Sequence, residues 1–214
     1  GPSPPSMGAT WSTPELVKPF RPFSLWSHEQ SERLLTQYQT SNLFFGIDAR
    51  ELAYLTGESA SVSNEVVAAL SKDGSTRINA LSFILGVIAV ADSGAAAPSL
   101  VEPKLRLMFR AFDFNDARAI SLDEMTILLY SLFEALVAMV GRGLVAPTDD
   151  DCEAMTKAMY RRFSKRAERD DVREDEFVSW ALEKLGPRVA SVIGVLEAFA
   201  IAPPGAADAA AAEC

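Results

Sequence analysis

One pattern recurs four times along the chain and constrains its fold more than any other feature. In each copy, apolar residues at helical spacing lead into a short polar stretch with a central aliphatic residue, and a second helical segment follows. The central residues are Ile47, Ile78, Ile120 and Val172. The alternation of apolar and polar residues that favours strands is nearly absent. The sequence therefore predicts an all-α protein of four helix-loop-helix units.

The third copy is the most regular of the four. Its first helix ends with Phe109 and Phe112, and a loop from Asp113 to Glu124 leads into an apolar helix. Asn115 and Ser121 stand at the third and ninth positions of this loop. Oxygen atoms at positions 1, 3, 5, 7, 9 and 12 of a twelve-residue loop can surround a hard cation, with a bidentate Glu at position 12. The third copy has side-chain oxygens at four of these six positions, the first, third, ninth and twelfth.

This loop resembles that of the calcium-binding EF-hand, and the resemblance spans residues 27–201. The run from Pro103 to Asp113 is similar to the start of the third EF-hand in neuronal calcium sensors and in the calcineurin regulatory subunit. The resemblance implies an all-α fold with two lobes of paired EF-hands, at residues 27–93 and 98–186, and a C-terminal helix at 187–202. It also implies that the central aliphatic residues pair between neighbouring loops and that a hydrophobic groove binds a partner helix.

The two ends of the chain differ from its helical middle. Residues 1–6 have the composition of a tag remnant or a linker. Residues 1–26 are expected to form a flexible N-terminal arm, because Pro14, Pro19 and Pro22 interrupt any long helix. Residues 203–214 are rich in Ala and offer almost nothing to bury, so they are predicted to be disordered.

Only the third loop is a serious candidate for a metal site, although it departs from the EF-hand pattern. The ligands that the resemblance implies are Asp113, Asn115, the carbonyl of Ala119, Ser121 and Glu124. Ala117 supplies no oxygen at position 5, and Arg118 replaces the Gly that makes the sharp turn at position 6. We therefore expect the loop to keep its shape without metal, with one bound calcium or magnesium ion as the alternative.

The other three loops are predicted to be free of metal. The first loop is one residue longer than the regular form and apolar in its middle, although Glu51 stands at position 12. The second has Ser71 and Ser82 at its two ends, where a metal-binding loop has carboxylates. The fourth has Lys165 at position 1 and Glu176 at position 12, and when it is counted from Phe163 it is also one residue longer.

The helix that follows the third loop is apolar on nearly all sides from Met125 to Val140. Such a helix must be covered all round, and the cover is the chain's own last helix, its N-terminal arm or a partner. An apolar stripe in the last helix, from Val189 to Phe199, is expected to pack as core, and its displacement by a partner helix is the alternative. The residues expected to line a partner groove are Met108, Phe112, Met125, Leu129, Leu132, Phe133, Leu136 and Met139.

Composition excludes several classes of function. The chain has 29 acidic and 20 basic residues, and its net charge of −9 opposes binding to nucleic-acid phosphates and suits a basic or neutral partner surface. A single His and two distant Cys residues provide neither a zinc site nor a disulfide framework. No glycine-rich phosphate loop, nucleophile elbow or pair of catalytic carboxylates appears at diagnostic spacing, so we expect no enzyme activity.

These observations predict a non-catalytic EF-hand regulatory or adaptor protein that binds an amphipathic helix of a larger partner, with a weak or lost response to calcium. A genuine calcium sensor that acts through the third loop is one alternative. A permanently bound structural light chain of a motor, cytoskeletal or ciliary assembly is another. The expected location is the cytoplasm, because no secretory signal or membrane span is apparent, or such an assembly within it.

The N-terminal arm contains one lipidation pattern. If the natural chain starts at Met7, residues 7–12 match the pattern for N-myristoylation of Gly8. One myristoyl chain gives only reversible association with a membrane. Lipidation of Gly8 and a chance match to a loose pattern are equal alternatives.

Overall fold

The computed structural model describes residues 16–71, 74–92, 101–141, 145–166 and 170–185. These residues are mostly helical, with two short antiparallel strand pairs. The expectations for Gly8, for the helix at 187–202 and for the tail at 203–214 fall outside the described part of the chain. None of the described helices combines the length and the hydropathy that a membrane span needs.

The described elements follow one another as helix, short strand and helix, four times over. They are a 3₁₀ helix (Lys18–Leu25), α1 (His28–Thr40), β1 (Gly46–Ile47), α2 (Ala49–Thr56), α3 (Ala60–Leu70), β2 (Ile78–Asn79), α4 (Ala80–Val90), α5 (Val101–Arg110), β3 (Ala119–Ile120), α6 (Leu122–Val140), α7 (Asp149–Arg162), β4 (Val172–Arg173) and α8 (Glu174–Leu185). This order is consistent with paired helix-loop-helix units.

Two antiparallel strand pairs join the units in twos. Strand β1 pairs with β2 so that Ile47 lies opposite Ile78, and β3 pairs with β4 so that Ile120 lies opposite Val172. All four side chains are buried. Each strand is only two residues long, and such short pairs are stable only when hydrophobic packing supports them. The four central aliphatic residues of the sequence pattern therefore supply both the strand pairing and its buried contact.

In three units, a residue at the end of the strand or directly after it caps the helix that follows. The side chains of Asp48, Asn79 and Ser121 accept hydrogen bonds from backbone amides in the first turns of α2, α4 and α6. These bonds satisfy amides that a helix leaves without partners at its N-terminus. Hydrogen bonding from the Glu51 amide lowers the pKa of Asp48 below its ordinary value, with a smaller contribution from the Arg50 amide. The strand register thus fixes where these helices begin.

Helix α6 lies at the centre of the core and packs against α4, α7 and α3. All residues of α4 except Ala89 are buried. The two helices approach closely at Gly86, where a methyl group would lie 2.4 Å from Cε of Met139. Because α4 belongs to the second unit and α6 to the third, this contact unites the two pairs of units in one hydrophobic core.

The segment from Leu16 to Trp26 belongs to this core, which differs from the flexible arm expected up to residue 26. The amide of Val17 donates to the carbonyl of Met139 at 2.9 Å, and Phe20 and Phe23 are buried. The rings of Phe23 and Phe83 meet edge to face at a centroid distance of 5.4 Å. Pro19 and Pro22 prevent a long helix, as predicted, but a short 3₁₀ helix accommodates both and leaves the rings of Phe20 and Phe23 buried.

Replacing Phe20 by Ala should lower the free energy of unfolding by about 3–5 kcal/mol, because it leaves a large cavity in a core that cannot collapse around it. Leu25 on the same short helix is 82% exposed, so Leu25→Ala should change the free energy by less than about 0.5 kcal/mol. Urea unfolding of both variants checks the comparison. Equal effects of the two changes would contradict the placement of this segment.

Candidate functional site

The third loop is held together by hydrogen bonds to the carboxylate at its first position. Asp113 is almost fully buried, and its two oxygens accept the amides of Ala117 at 2.9 Å and of Arg118 at 2.8 Å. The side-chain oxygen of Asn115 accepts the same Ala117 amide at 3.0 Å. The structure therefore brings Asp113 and Asn115 together around the backbone of the loop.

The turn of this loop has the left-handed backbone for which glycine is favoured. Arg118, at position 6, has φ +53°, and Asp116 has φ +56°. A non-glycine residue in this conformation costs about 1–2 kcal/mol. The Asp113 carboxylate accepts the Arg118 amide and so helps to hold this turn despite the cost.

The last two expected ligands of the third loop, Ser121 and Glu124, bind each other at the start of α6. A carboxylate oxygen of Glu124, Oε2, accepts the amide and the hydroxyl of Ser121, both at 2.8 Å, and the Ser121 hydroxyl accepts the Glu124 amide at 3.3 Å. This reciprocal arrangement is a capping box. Glu124, at position 12, thus uses Oε2 to cap α6, and the same oxygen is one that would coordinate a metal ion in this loop.

The donors of the third loop do not fit a complete calcium shell. Calcium takes six to eight oxygen ligands, and Ala117 offers no side-chain oxygen at position 5. Asp113 and Glu124 are the only carboxylates at the expected ligand positions, and both accept hydrogen bonds within the loop. Among the described residues, no group of three or more His, Cys, Asp or Glu side chains could hold a metal ion.

A basic side chain of the second loop contacts the first loop. The guanidinium of Arg77, in the second loop, donates through Nε to the carbonyl of Gly46 at 2.9 Å and also donates to it through Nη2. The same Nη2 lies 2.9 Å from Oε2 of Glu51. Arg77 thus joins the two loops of the first pair. Its role was not predicted, because the acceptors lie 31 and 26 residues away along the chain.

A second side-chain cation contacts the fourth loop. The ammonium of Lys165 donates to the carbonyl of Asp171 at 2.7 Å and lies 2.9 Å from Oε2 of Glu176. This contact was not predicted, since Lys165 at position 1 was expected only to exclude metal from the loop. Its position at the start of a loop that ends in Glu is the sequence signal that could have identified this contact.

The eight residues expected to line a partner groove are all buried in the described structure. They lie on α5, at its C-terminal end and on α6, within the single core cluster. Helices α4 and α7 pack against α6. The 3₁₀ helix of the segment from Leu16 to Trp26 packs against α3 and α4, and Val17 of this segment bonds to Met139 of α6. In this conformation the chain itself therefore covers the side chains that a partner helix would contact. The covered residues are Met108, Phe112, Met125, Leu129, Leu132, Phe133, Leu136 and Met139.

Exposed aromatic residues connect the first and third loops. Phe44 and Phe45 of the first loop are exposed, as is Phe114 of the third. The rings of Phe45 and Phe114 meet edge to face with centroids 6.0 Å apart. Exposed apolar clusters of this kind are typical of contact surfaces.

A buried thiol in α7 is a poor candidate for a nucleophile. Cys152 is buried, and this burial raises the pKa of its thiol to about 12, with further contributions from Asp149, Asp151 and Glu134. A reactive cysteine needs the opposite shift, since the thiolate is the attacking form. Cys152 therefore fills core space.

No protein-family model matches the sequence, and no curated protein matches it. The likeness to the EF-hand consequently depends on the loop pattern and on the geometry of the paired units.

Replacing Arg118 by Gly should raise the free energy of unfolding by about 0.5–1 kcal/mol. The relief of left-handed strain should exceed the added entropy of the unfolded chain. Arg161 is exposed in the last turn of α7, and Arg161→Gly should lower the free energy by about 1 kcal/mol. Chemical denaturation measures both, and a loss of stability in both variants would contradict the strained turn.

Proposed function

We propose that this chain is a non-catalytic EF-hand regulatory or adaptor protein that binds an amphipathic helix of a larger partner, with a weak or lost response to calcium. The pairing of Ile47 with Ile78 and of Ile120 with Val172 carries the proposal. An aliphatic pair between two interhelical loops is the feature that the EF-hand resemblance implies. Each pair joins two helix-loop-helix units, which is the arrangement that presents a helical groove.

The polar contacts of the loops support a weak calcium response. Asp113 and Glu124 hold the third loop and cap α6 by hydrogen bonds within the chain. Bound calcium would have to compete with these bonds and would find no side-chain oxygen at position 5. In the first and fourth loops, Glu51 and Glu176 are already paired with cationic side chains.

A calcium sensor that acts through the third loop is the second candidate. The observation that favours it is the charge of that loop, because no ion pair within the described residues joins Asp113 or Glu124 to a basic side chain. The EF-hand turn is also preformed at Arg118. A cation would therefore meet two carboxylates in a loop of the right length.

The N-terminal segment offers a route by which a partner helix could reach the core. Phe20 and Phe23 are three residues apart on a short helix and fill the cleft beside α3 and α4. A partner helix recognises a groove through apolar residues at similar spacing. We propose that the partner helix displaces this segment and that basic residues on its outer face match the net charge of −9.

A Leu/Lys peptide of about 18 residues, long enough for roughly five helical turns, tests partner binding. The amphipathic form should bind in the micromolar range with calcium and with chelator alike. An isomer of the same composition, with leucines spread around the helix, should bind about tenfold or more weakly. Peptide binding should also accelerate hydrogen exchange at the Val17 amide, which donates to Met139 in the free protein. Equal affinity for the two isomers would contradict the proposal.

Isothermal titration with calcium and with magnesium tests the metal response. The natural chain should show no micromolar site. The positive control is the double variant Ala117→Asp, Arg118→Gly, which supplies the missing oxygen at position 5 and the glycine at position 6, and it should bind calcium more tightly than the natural chain. A micromolar site in the natural chain that Asp113→Asn removes would favour the sensor instead.

A further inference from the structure

We infer that a basic side chain takes the place of a metal ion in the first and fourth loops. These internal cations are the Arg77 guanidinium in the first loop and the Lys165 ammonium in the fourth, and each holds its loop closed where an EF-hand would use a metal ion. The inference depends on the EF-hand architecture of the proposed function and deepens it, because it assigns any metal response to the third loop alone. Its physical basis is that both cations contact equivalent oxygens in two separate loops.

The fourth loop shows the contact in its simplest form. Val172 defines position 8 by its pairing with Ile120, so the carbonyl of Asp171 lies at position 7 and Glu176 at position 12. These are two of the positions whose oxygens bind calcium in an EF-hand loop. The Lys165 ammonium contacts both, at 2.7 Å and 2.9 Å.

The first loop repeats this arrangement with a different residue. Ile47 defines position 8 by its pairing with Ile78, so the carbonyl of Gly46 lies at position 7 and Glu51 at position 12. The Arg77 guanidinium contacts both, with Nε 2.9 Å from the carbonyl and Nη2 2.9 Å from the carboxylate. This cation comes from the partner loop, whereas Lys165 comes from its own loop. In both loops, therefore, a basic side chain contacts the oxygens at positions 7 and 12, although the two basic residues come from different positions in the chain.

The other two loops show no such cation among the described residues. The second loop ends in Ser82 and has no carboxylate at position 12 that needs a counter-ion. The third loop ends in Glu124, and no salt bridge of the described residues reaches that side chain. The third loop is therefore the one described loop with a position-12 carboxylate and no internal cation.

Shielding from water separates the fourth-loop pair from an ordinary surface ion pair. The side chains of Lys165 and Glu176 are 16% and 27% exposed, whereas those of Lys157 and Glu153, an i,i+4 pair on α7, are 46% and 44% exposed. Exposed pairs of the second kind contribute little to stability. A shielded pair with an added carbonyl contact should contribute more, because its charges are less screened and the removal of one partner strands the other.

Thermal unfolding of matched variants tests the inference. Lys165→Met should lower the Tm by about 4 °C or more, while Lys157→Met should lower it by about 1 °C or less. The double variant Lys165→Met, Glu176→Gln should be no less stable than Lys165→Met alone, since it removes the stranded carboxylate as well. In the first loop Arg77 is 46% exposed and Glu51 is 26% exposed, so Arg77→Met should lower the Tm by less than Lys165→Met does, but by more than its exposed control, Arg50→Met. Equal shifts for Lys165→Met and Lys157→Met, and for the Arg77 and Arg50 variants, would overturn the inference.

Hydrogen exchange in the natural chain provides the second measurement. Calcium at millimolar concentration should leave the amides of β1, β2 and β4 unchanged, because the internal cations already occupy the oxygens. Slower exchange at β1 or β4 with calcium would mean that the metal displaces Arg77 or Lys165 and would sink the inference. Lys165→Arg keeps the charge and should keep most of the protection that Lys165→Met loses.

The peptide experiment separates this inference from the proposed function. The Lys165 and Arg77 variants should bind the amphipathic peptide as the natural chain does at a temperature where all are folded. Failure of the natural chain to bind that peptide would count against the proposed function and leave the stability comparison intact. If the stability comparison fails and peptide binding is normal, only the inference about the internal cations is contradicted, and the proposed function stands.

Discussion

The buried pairing of aliphatic residues between neighbouring loops is the contact on which the rest of the structure depends. Two residues per strand cannot form a stable pair on their own, so Ile47 and Ile78 depend on the helices that bury them. Those helices in turn begin directly after the strands, at capping residues such as Asp48 and Ser121. Strand register, helix start and core packing therefore specify one another, and a shift of one residue would disrupt all three.

The close contact between α4 and α6 joins the two pairs of helix-loop-helix units in one hydrophobic core. It requires Gly86, since a methyl group there would lie 2.4 Å from Met139. The same end of α6 receives the N-terminal segment, through the bond from Val17 to Met139 and the burial of Phe20. The apolar side chains of α6 are covered largely by α4, α7 and α3, which pack against it. A partner that reaches the buried residues of α6 must therefore replace a part of the chain.

Periodicity predicted the helices and the positions of the central aliphatic residues, because both depend on local spacing. The burial of α4 could also have been predicted, since no charged residue occurs from Ala80 to Val90. The sequence offered the N-terminal segment only as one of three possible covers for α6, because its prolines suggested a flexible arm, although Phe20 and Phe23 are spaced for one helical face. The contact of Arg77 with Gly46 spans 31 residues, and no local pattern reveals such a pairing.

A glutamate at position 12 does not by itself indicate a metal site in this fold. In three loops the Oε2 atom of that residue accepts the backbone amide of position 9, at 2.8 Å from Asp48, 2.8 Å from Ser121 and 2.9 Å from Arg173. This bond satisfies an amide near the start of a helix whether or not a cation is present. In the first and fourth loops the same oxygen also contacts a side-chain cation. The glutamate at this position therefore has a structural role without metal, because its carboxylate caps the helix and, in two loops, neutralises the cation that contacts it.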